Sequence, residues 1–330
     1  MTTKAKIELF SIQNKTTLDT SLRNYKGYVM PCEFKNYLDD IEQFEVREDD
    51  VWLTGFPKTG TTWLQEMVWL IENNLDYEGA KMDLNYRFPY LEFTPIIQYR
   101  LRSVPDEVCG SIPNSVRELA NMEERRFIKT HLPWELLPLQ IQNGSVKPKI
   151  IHIIRNPKDI CVSYHHHGKL FPGYRNTLEQ DVNAFLSDTM PYTPFWSNIL
   201  SYWTKQSHTN LLVMTYEQMK KNLPASIRKV ANFLGKELNT EQVAGLQRHL
   251  CFENMQRNKA VNFQPMIEAF KNMKLYKECP GSFMRKGIVG SHKDELSQDI
   301  IKIMNTWIAQ NTLNTNLKFD EFFVNVTQRR

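Results

Sequence analysis

Residues 54–63 read Thr54-Gly55-Phe56-Pro57-Lys58-Thr59-Gly60-Thr61-Thr62-Trp63. The apolar Val51-Trp52-Leu53 before them predicts a buried strand, and Leu64-Gln65-Glu66-Met67-Val68-Trp69-Leu70-Ile71 after them predicts a helix. A strand, a glycine-bearing turn and a helix N-terminus form an anion cradle. Successive backbone N–H groups and the helix dipole converge on one point, and Lys58 adds a full positive charge. Gly55 and Gly60 keep the spacing of the Walker pattern G-x-x-x-x-G-K-[ST], but Thr61 stands where that pattern has its lysine. Lys58 lies inside the loop instead, so this is a phosphate loop of a different make.

Outward from the loop, apolar strands alternate with amphipathic helices. The first helix carries Leu64, Met67, Val68, Ile71 and Leu75 on one face. Arg126-Phe127-Ile128-Lys129 predicts a short strand ending at Thr130-His131-Leu132-Pro133. Lys149-Ile150-Ile151-His152-Ile153-Ile154 predicts a strand ending at Arg155-Asn156-Pro157, and its continuous apolar run suits a parallel sheet covered on both faces. A helix should follow through Ile160–Tyr164. Leu211–Tyr216 reads as another such strand. Pro224 opens a helix with Ile227, Val230, Phe233 and Leu234 inward, and Gly235 stops it. The class is α/β, with a central parallel sheet flanked by helices. Ligands of such sheets bind beyond the carboxyl ends of the strands, where all these polar loops fall. Residues 76–125 read as loops and short helices around a pocket, with Tyr86, Phe88, Pro89, Tyr90, Phe93 and Pro95. Residues 1–40 read as irregular. No repeat or linker interrupts the chain, so a single domain over 1–330 is expected.

Composition narrows the function. With 330 residues, 41% of them hydrophobic, the chain can bury a sizeable core without disulfide staples. Cys32, Cys109, Cys161, Cys251 and Cys279 are irregularly spaced, with no C-x-x-C or Cys/His cluster, which speaks against a zinc site and for a reducing, cytoplasmic setting. The polar N-terminus lacks a signal core, and no run of about 18 apolar residues predicts a membrane span. A net charge of +4 suits an anionic cofactor and falls short of a nucleic-acid footprint.

Three further segments carry chemistry. Arg155 leaves the end of a buried strand and Ser163 follows eight residues later in a helix. Together they offer a planar guanidinium fork and a hydroxyl donor for phosphate oxygens. Phe283-Met284-Arg285-Lys286-Gly287-Ile288-Val289-Gly290 sets two cations beside two glycines, which can wrap a phosphate with side chains and backbone together. In Lys129-Thr130-His131-Leu132-Pro133 the lysine precedes the histidine by two residues, which a strand points to the same side. The run His165-His166-His167 cannot turn all three rings to one site on a helix, so it gives no metal centre.

Together these segments resemble the cytosolic sulfotransferases, and the likeness spans residues 54–290. Phe56–Trp63 is similar to their 5'-phosphosulfate loop, Arg155-Asn-Pro-Lys-Asp-x-x-Val-Ser163 to their 3'-phosphate segment, Arg285-Lys-Gly-x-x-Gly290 to their C-terminal segment, and Lys129-Thr-His-Leu-Pro133 to the string holding their catalytic histidine. The resemblance implies a P-loop-like sulfotransferase fold. It implies that 3'-phosphoadenosine 5'-phosphosulfate (PAPS; product PAP) donates a sulfuryl group to a small hydrophobic phenol, steroid or other alcohol, without a metal. It implies that His131 is the general base, that Lys129 stabilises the sulfonate and Lys58 the leaving group, and that Lys58, Thr59, Gly60, Thr61, Thr62, Trp63, Arg155, Ser163, Tyr216, Cys251, Phe252 and Phe283, Met284, Arg285, Lys286 and Gly287 hold the cofactor. Trp63 would stack on adenine, and Phe56, Pro133, His166 and the aromatics at 86–93 would line the acceptor pocket. Val68–Leu75 and Lys259-Ala260-Val261-Asn262 look closest to insect members, among them the retinol dehydratase branch.

Three departures stand out. Cys251 replaces a Ser or Thr, Gly290-Ser291-His292-Lys293 replaces G-D-W-K, and residues 294–300 lack the family's dimerisation string. The expected state is a monomer, or a dimer built otherwise. Rival readings are a P-loop phosphotransferase, which needs a lysine after Gly60 and an acidic magnesium ligand, a dehydratase using the same donor, and a non-catalytic protein that kept the cofactor site.

Overall fold

The computed structural model describes residues 20–105, 112–276, 281–318 and 323; Cys109, Cys279 and residues 1–19 lie outside them. Strands β1 (Leu22–Tyr25) and β2 (Tyr28–Pro31) pair as an antiparallel hairpin, where the sequence suggested irregular chain. Lys26 and Gly27 turn it with φ of 50° and 91°, the two positive values a tight right-twisting hairpin requires. Val29 fastens the hairpin to the body by backbone hydrogen bonds with Tyr192 and Thr193.

The central sheet holds β3 (Val51–Thr54), β4 (Phe127–Thr130), β5 (Lys149–Ile154) and β6 (Leu211–Thr215), all parallel, in the order β4-β3-β5-β6. Side chains leave each strand alternately. Val51, Leu53, Ile151, Ile153 and Met214 pack into the core on one face, and Trp52, Ile128, Ile150 and Ile154 into the core on the other. Each such side chain, fully buried, contributes roughly 1.5–3 kcal/mol. The chain runs from β3 outward to β4 and then crosses to β5 on the other side. The carboxyl end of β3 is therefore the switch point where such sheets bind ligands. Segment 89–91 adds one more rung beyond β4, since Lys129 N donates to Pro89 O and Leu91 N to Lys129 O.

Helix α1 (Thr61–Glu72) follows β3 and is enclosed on nearly every side, more than the single apolar face suggested. Its buried Glu66 is accommodated because Arg87 (2.8 Å) and His249 (2.7 Å) pair with it. Helices α2 (Phe93–Leu101), α3 (Pro157–Gly168), α4 (Tyr216–Lys221), α5 (Leu223–Leu234) and α6 (Phe252–Arg257) complete the elements that reach the site. Tyr216 opens α4 and does not end β6, because Thr215 and Gln218 cap each other's backbone reciprocally. Pro224 sits in the first turn of α5, and Gly235 closes it at φ 75°.

Candidate active site

The turn between β3 and α1 forms one wall of a cleft. Lys58 takes φ 73° there and sets its ammonium 4.1 Å from the Phe283 ring centroid. Gly60 is held at φ 102°, and a Cβ on it would come 2.7 Å from the Tyr216 ring, so only glycine fits. Gly60, Thr61, Thr62 and Trp63 face the cleft. Thr59 does not: its hydroxyl donates to Phe56 O (2.8 Å) and fixes the turn from behind. The first amides of α1 have no helical acceptor and point the same way as the dipole. Trp63 donates its indole N–H to Leu250 O (2.9 Å) and meets the Tyr216 ring edge-on, presenting an aromatic surface beside Phe252.

Arg155, leaving β5, lies over the Tyr216 ring (4.2 Å) and donates to Lys58 O (3.1 Å) and Ile288 O (3.3 Å). It ties two phosphate-type loops together, and its buried Nε has no protein partner among the described residues. Ser163 lines the same wall from α3. The 283–290 loop is seated by Asp159, which accepts from Gly290 N (2.7 Å), His292 N (3.0 Å) and His292 Nδ1 (2.7 Å). Burial alone would raise the Asp159 pKa, but the His292 hydrogen bond and the Arg155 charge hold it at about 2. The Ser291-His292 departure thus keeps a loop anchor. Phe283, Met284, Arg285, Lys286 and Gly287 all line the cleft. Arg285 also pairs with Glu295, and Lys286 with Asp294. The Lys58 ammonium is pulled well below its ordinary pKa by burial and by the neighbouring charges of Lys129, Arg155, Arg100 and Arg285. Cations gathered so closely fit a ligand with several negative charges.

His131 follows β4. Its Nδ1 lies 2.5 Å from Gly55 O; a carbonyl can only accept, so Nδ1 carries the proton and Nε2 the lone pair. Burial, then the Lys129 charge, lowers its pKa well below 6.5, so the ring is neutral at pH 7. Glu92 braces it from behind, accepting from His131 N (2.7 Å), Thr130 Oγ1 (2.7 Å) and Tyr192 Oη (3.3 Å). Burial raises the Glu92 carboxyl to about 7. Burial lowers Lys129 to about 8, and its ammonium sits 4.4 Å from the Tyr90 ring centroid. Glu92 escapes a motif search because only the extra rung at 89–91 brings it to His131.

Several expected positions are corrected. Phe56 is wholly buried in an aromatic cluster with Tyr164, Phe185 and Phe195, and neither it nor Pro133 lines the cleft. His166 turns away to Glu295 (2.5 Å) and His165 to Asp181 (2.6 Å); His167 is the ring in the cleft, against Phe171 and Phe283. Of the aromatics at 86–93, Tyr90 and Phe93 line it, Phe88 lies in the core and Tyr86 is exposed. Cys251 is not a lining residue; it stands before α6 at the N-cap position, while Phe252 faces in. Ile97, Arg100, Tyr164 and Tyr192 line the cleft as well.

Among the described residues no group of three His, Cys, Asp or Glu could hold a metal ion, and no helix is long and apolar enough to cross a membrane. The profile of the sulfotransferase domain matches residues 48–316. Luciferin sulfotransferase of Photinus pyralis is 41% identical over 305 residues, covering 89% of this chain and 81% of that protein. Sulfotransferase 1E1 of Mus musculus is 30% identical over 300 residues, 89% of this chain and 94% of that one. The crystal structure of retinol dehydratase with androsterone and the inactive cofactor PAP superposes with a TM-score of 0.81 at 29% identity, over 96% of both chains. Mouse SULT7A1 complexed with PAP gives 0.64 at 25% identity, over 90% of this chain and 96% of that one. The cation-lined cleft fits the cofactor these structures hold. The chain belongs to the sulfotransferase domain family and is a sulfotransferase that uses PAPS.

Proposed function

We propose that the chain moves a sulfuryl group from PAPS to the hydroxyl of a small, largely aromatic or hydrophobic acceptor, with His131 as general base. The carrying observation is the His131–Gly55 contact, which leaves Nε2 free to take a proton in a neutral ring. PAPS, when bound, supplies the sulfuryl group and an anionic leaving group. Lys58 and the first amides of α1 hold negative charge at the loop, and Arg155, Ser163 and Arg285 hold a phosphate on the far side. His131 removes the acceptor proton at Nε2, an effect worth about 10²–10⁴-fold. Lys129, two residues back, offsets charge on the transferring group. Tyr90, Phe93, Tyr164, His167 and Phe283 orient the acceptor and exclude water. The test is turnover of a panel of phenols and alcohols with labelled PAPS; no sulfate ester from any acceptor would sink the reading.

A second reading is favoured by the 0.81 superposition on retinol dehydratase: the ester of an allylic alcohol would eliminate after transfer. Analysis of the product separates the two, since a dehydrated polyene accumulates in place of the ester. The free thiols Cys32, Cys161 and Cys251 support a reducing, cytoplasmic setting. We expect no dimer through residues 294–300, because Asp294 and Glu295 engage Lys286, Arg285 and His166 within the chain.

A further inference from the structure

Among the described residues the buried arginines fall into two kinds. Arg126 pairs with Asp50 (2.7 Å) and Arg87 with Glu66 (2.8 Å); these are structural and each has its own carboxylate. Arg155 has none among the described residues, and it belongs to the cofactor cleft. Arg100, half-buried at the cleft, likewise lacks a carboxylate partner among the described residues. It projects from α2 into the acceptor side of the cleft and lies outside all the cofactor segments. Its guanidinium is ringed by Tyr164 (5.2 Å), Phe171 (5.4 Å) and Tyr99 (5.8 Å). One of its five N–H donors goes to Tyr164 Oη (2.9 Å), and among the described residues no carboxylate pairs with it.

A guanidinium set among aromatic rings in a cleft binds best to a group that is planar, anionic and able to take two parallel hydrogen bonds. A neutral terpenoid or sterol would cover it without offering an acceptor. The rings that flank it suit the flat body of an aromatic acceptor. Resting on the transferase reading, we infer that Arg100 receives a carboxylate on the acceptor, so that the preferred acceptors are hydroxylated aromatic acids, with the hydroxyl at His131 and the acid group at Arg100.

The experiment compares para-hydroxyphenylpropanoic acid and para-hydroxycinnamic acid with their methyl esters. The wild type should turn over an acid with kcat/KM at least about tenfold above its ester, chiefly through KM. Arg100→Met removes the contact with Tyr164 for every acceptor, so both classes should lose kcat/KM, the acids at least about fivefold more than the esters, and Arg100→Lys should recover part of the acids' extra loss. PAP affinity and Tm of each variant check that the cofactor site and fold persist. Should a variant not fold, phenylpropanoic acid, which lacks the hydroxyl, must still compete better than its ester against a phenol on the wild type. Equal use of acid and ester, or equal damage to both by Arg100→Met, overturns the assignment while turnover of the esters upholds the transferase reading. Acid-specific binding to the PAP-loaded protein without turnover of any acceptor supports Arg100 and sinks the transferase reading instead.

Discussion

The ring of His131 and the backbone carbonyl of Gly55 are 2.5 Å apart, so the phosphate loop itself sets the tautomer of the histidine. The residue that opens the anion cradle thereby leaves Nε2 with the lone pair on a ring that lines the cleft. His131→Ala should therefore reduce kcat by at least about 100-fold, the lower range of a general-base contribution. PAP affinity should change by less than about threefold, because the proposed role of His131 is toward the acceptor and not the phosphates. Retention of more than a tenth of wild-type kcat would remove the histidine from the base role.

The pH profile follows from the same neighbours. Protonation of His131 destroys the base, and its pKa is displaced well below 6.5, so kcat/KM should stay flat from pH 7 down past 6.5 before falling. On the alkaline side Lys129 loses its charge at about 8, so kcat/KM, which reports the free enzyme, should decline from there. A bound polyanion favours charged lysines, so the limb should move upward in kcat. Lys129→Arg, which does not titrate in this range, should abolish or weaken the alkaline limb. An acid limb at or above 6.5 would contradict the placement of His131.

Arg155 spans two loops and carries a buried Nε with no protein partner among the described residues. Arg155→Ala should weaken PAP binding roughly 10- to 100-fold, as expected for a charged hydrogen bond of about 1.5–3 kcal/mol. Ser163→Ala should cost less, about 1 kcal/mol or fivefold. Isothermal calorimetry with PAP checks both, and unchanged affinity in the pair would remove segment 155–163 from the phosphate site.

The sheet and the phosphate loop were legible because continuous apolar strands and a glycine turn have few other readings. The missing parts share a physical cause. His165, His166 and His167 lie about 100° apart around α3, and the sequence does not say which direction is the cleft. Packing decides it: Asp181 takes His165, Glu295 takes His166, and His167 is left facing in. The resemblance puts the Phe56 ring in the acceptor pocket, but the turn sends it into the core while Lys58, two residues on, lines the cleft. Glu92 and Arg100 belong to no motif and enter the site only through tertiary contacts of segments 89–91 and 93–101.

Glu92 gives a fourth expectation. Glu92→Ala would leave His131 N–H and the Thr130 hydroxyl without their carboxylate, at about 2–4 kcal/mol. Tm should drop by several degrees and kcat should fall with little change in PAP affinity. The wild-type carboxyl is raised from 4.5 to about 7, so its contribution to stability is complete below 4.5 and is lost as the pH rises through 7. That part of the slope of Tm against pH should vanish in the variant. A variant as stable and as active as wild type would show that Glu92 does not position His131.

Cys251 separates capping from cofactor binding. It occupies the N-cap of α6 with φ −63° and ψ 152° and caps nothing with its side chain. Serine is among the best residues at that position, because its oxygen accepts from the amides two or three residues on, whereas a thiol accepts poorly. Cys251→Ser should therefore raise stability by about 0.5–1 kcal/mol, read as a higher Tm or urea midpoint. Since Cys251 does not line the cleft while Phe252 does, PAP affinity should stay within about twofold. If affinity rises fivefold or more instead, the new hydroxyl is reaching a phosphate oxygen, and residue 251 belongs to the 3'-phosphate site after all. If Tm falls, the thiol packs against apolar neighbours that a hydroxyl cannot satisfy, and neither the capping role nor the cofactor role survives.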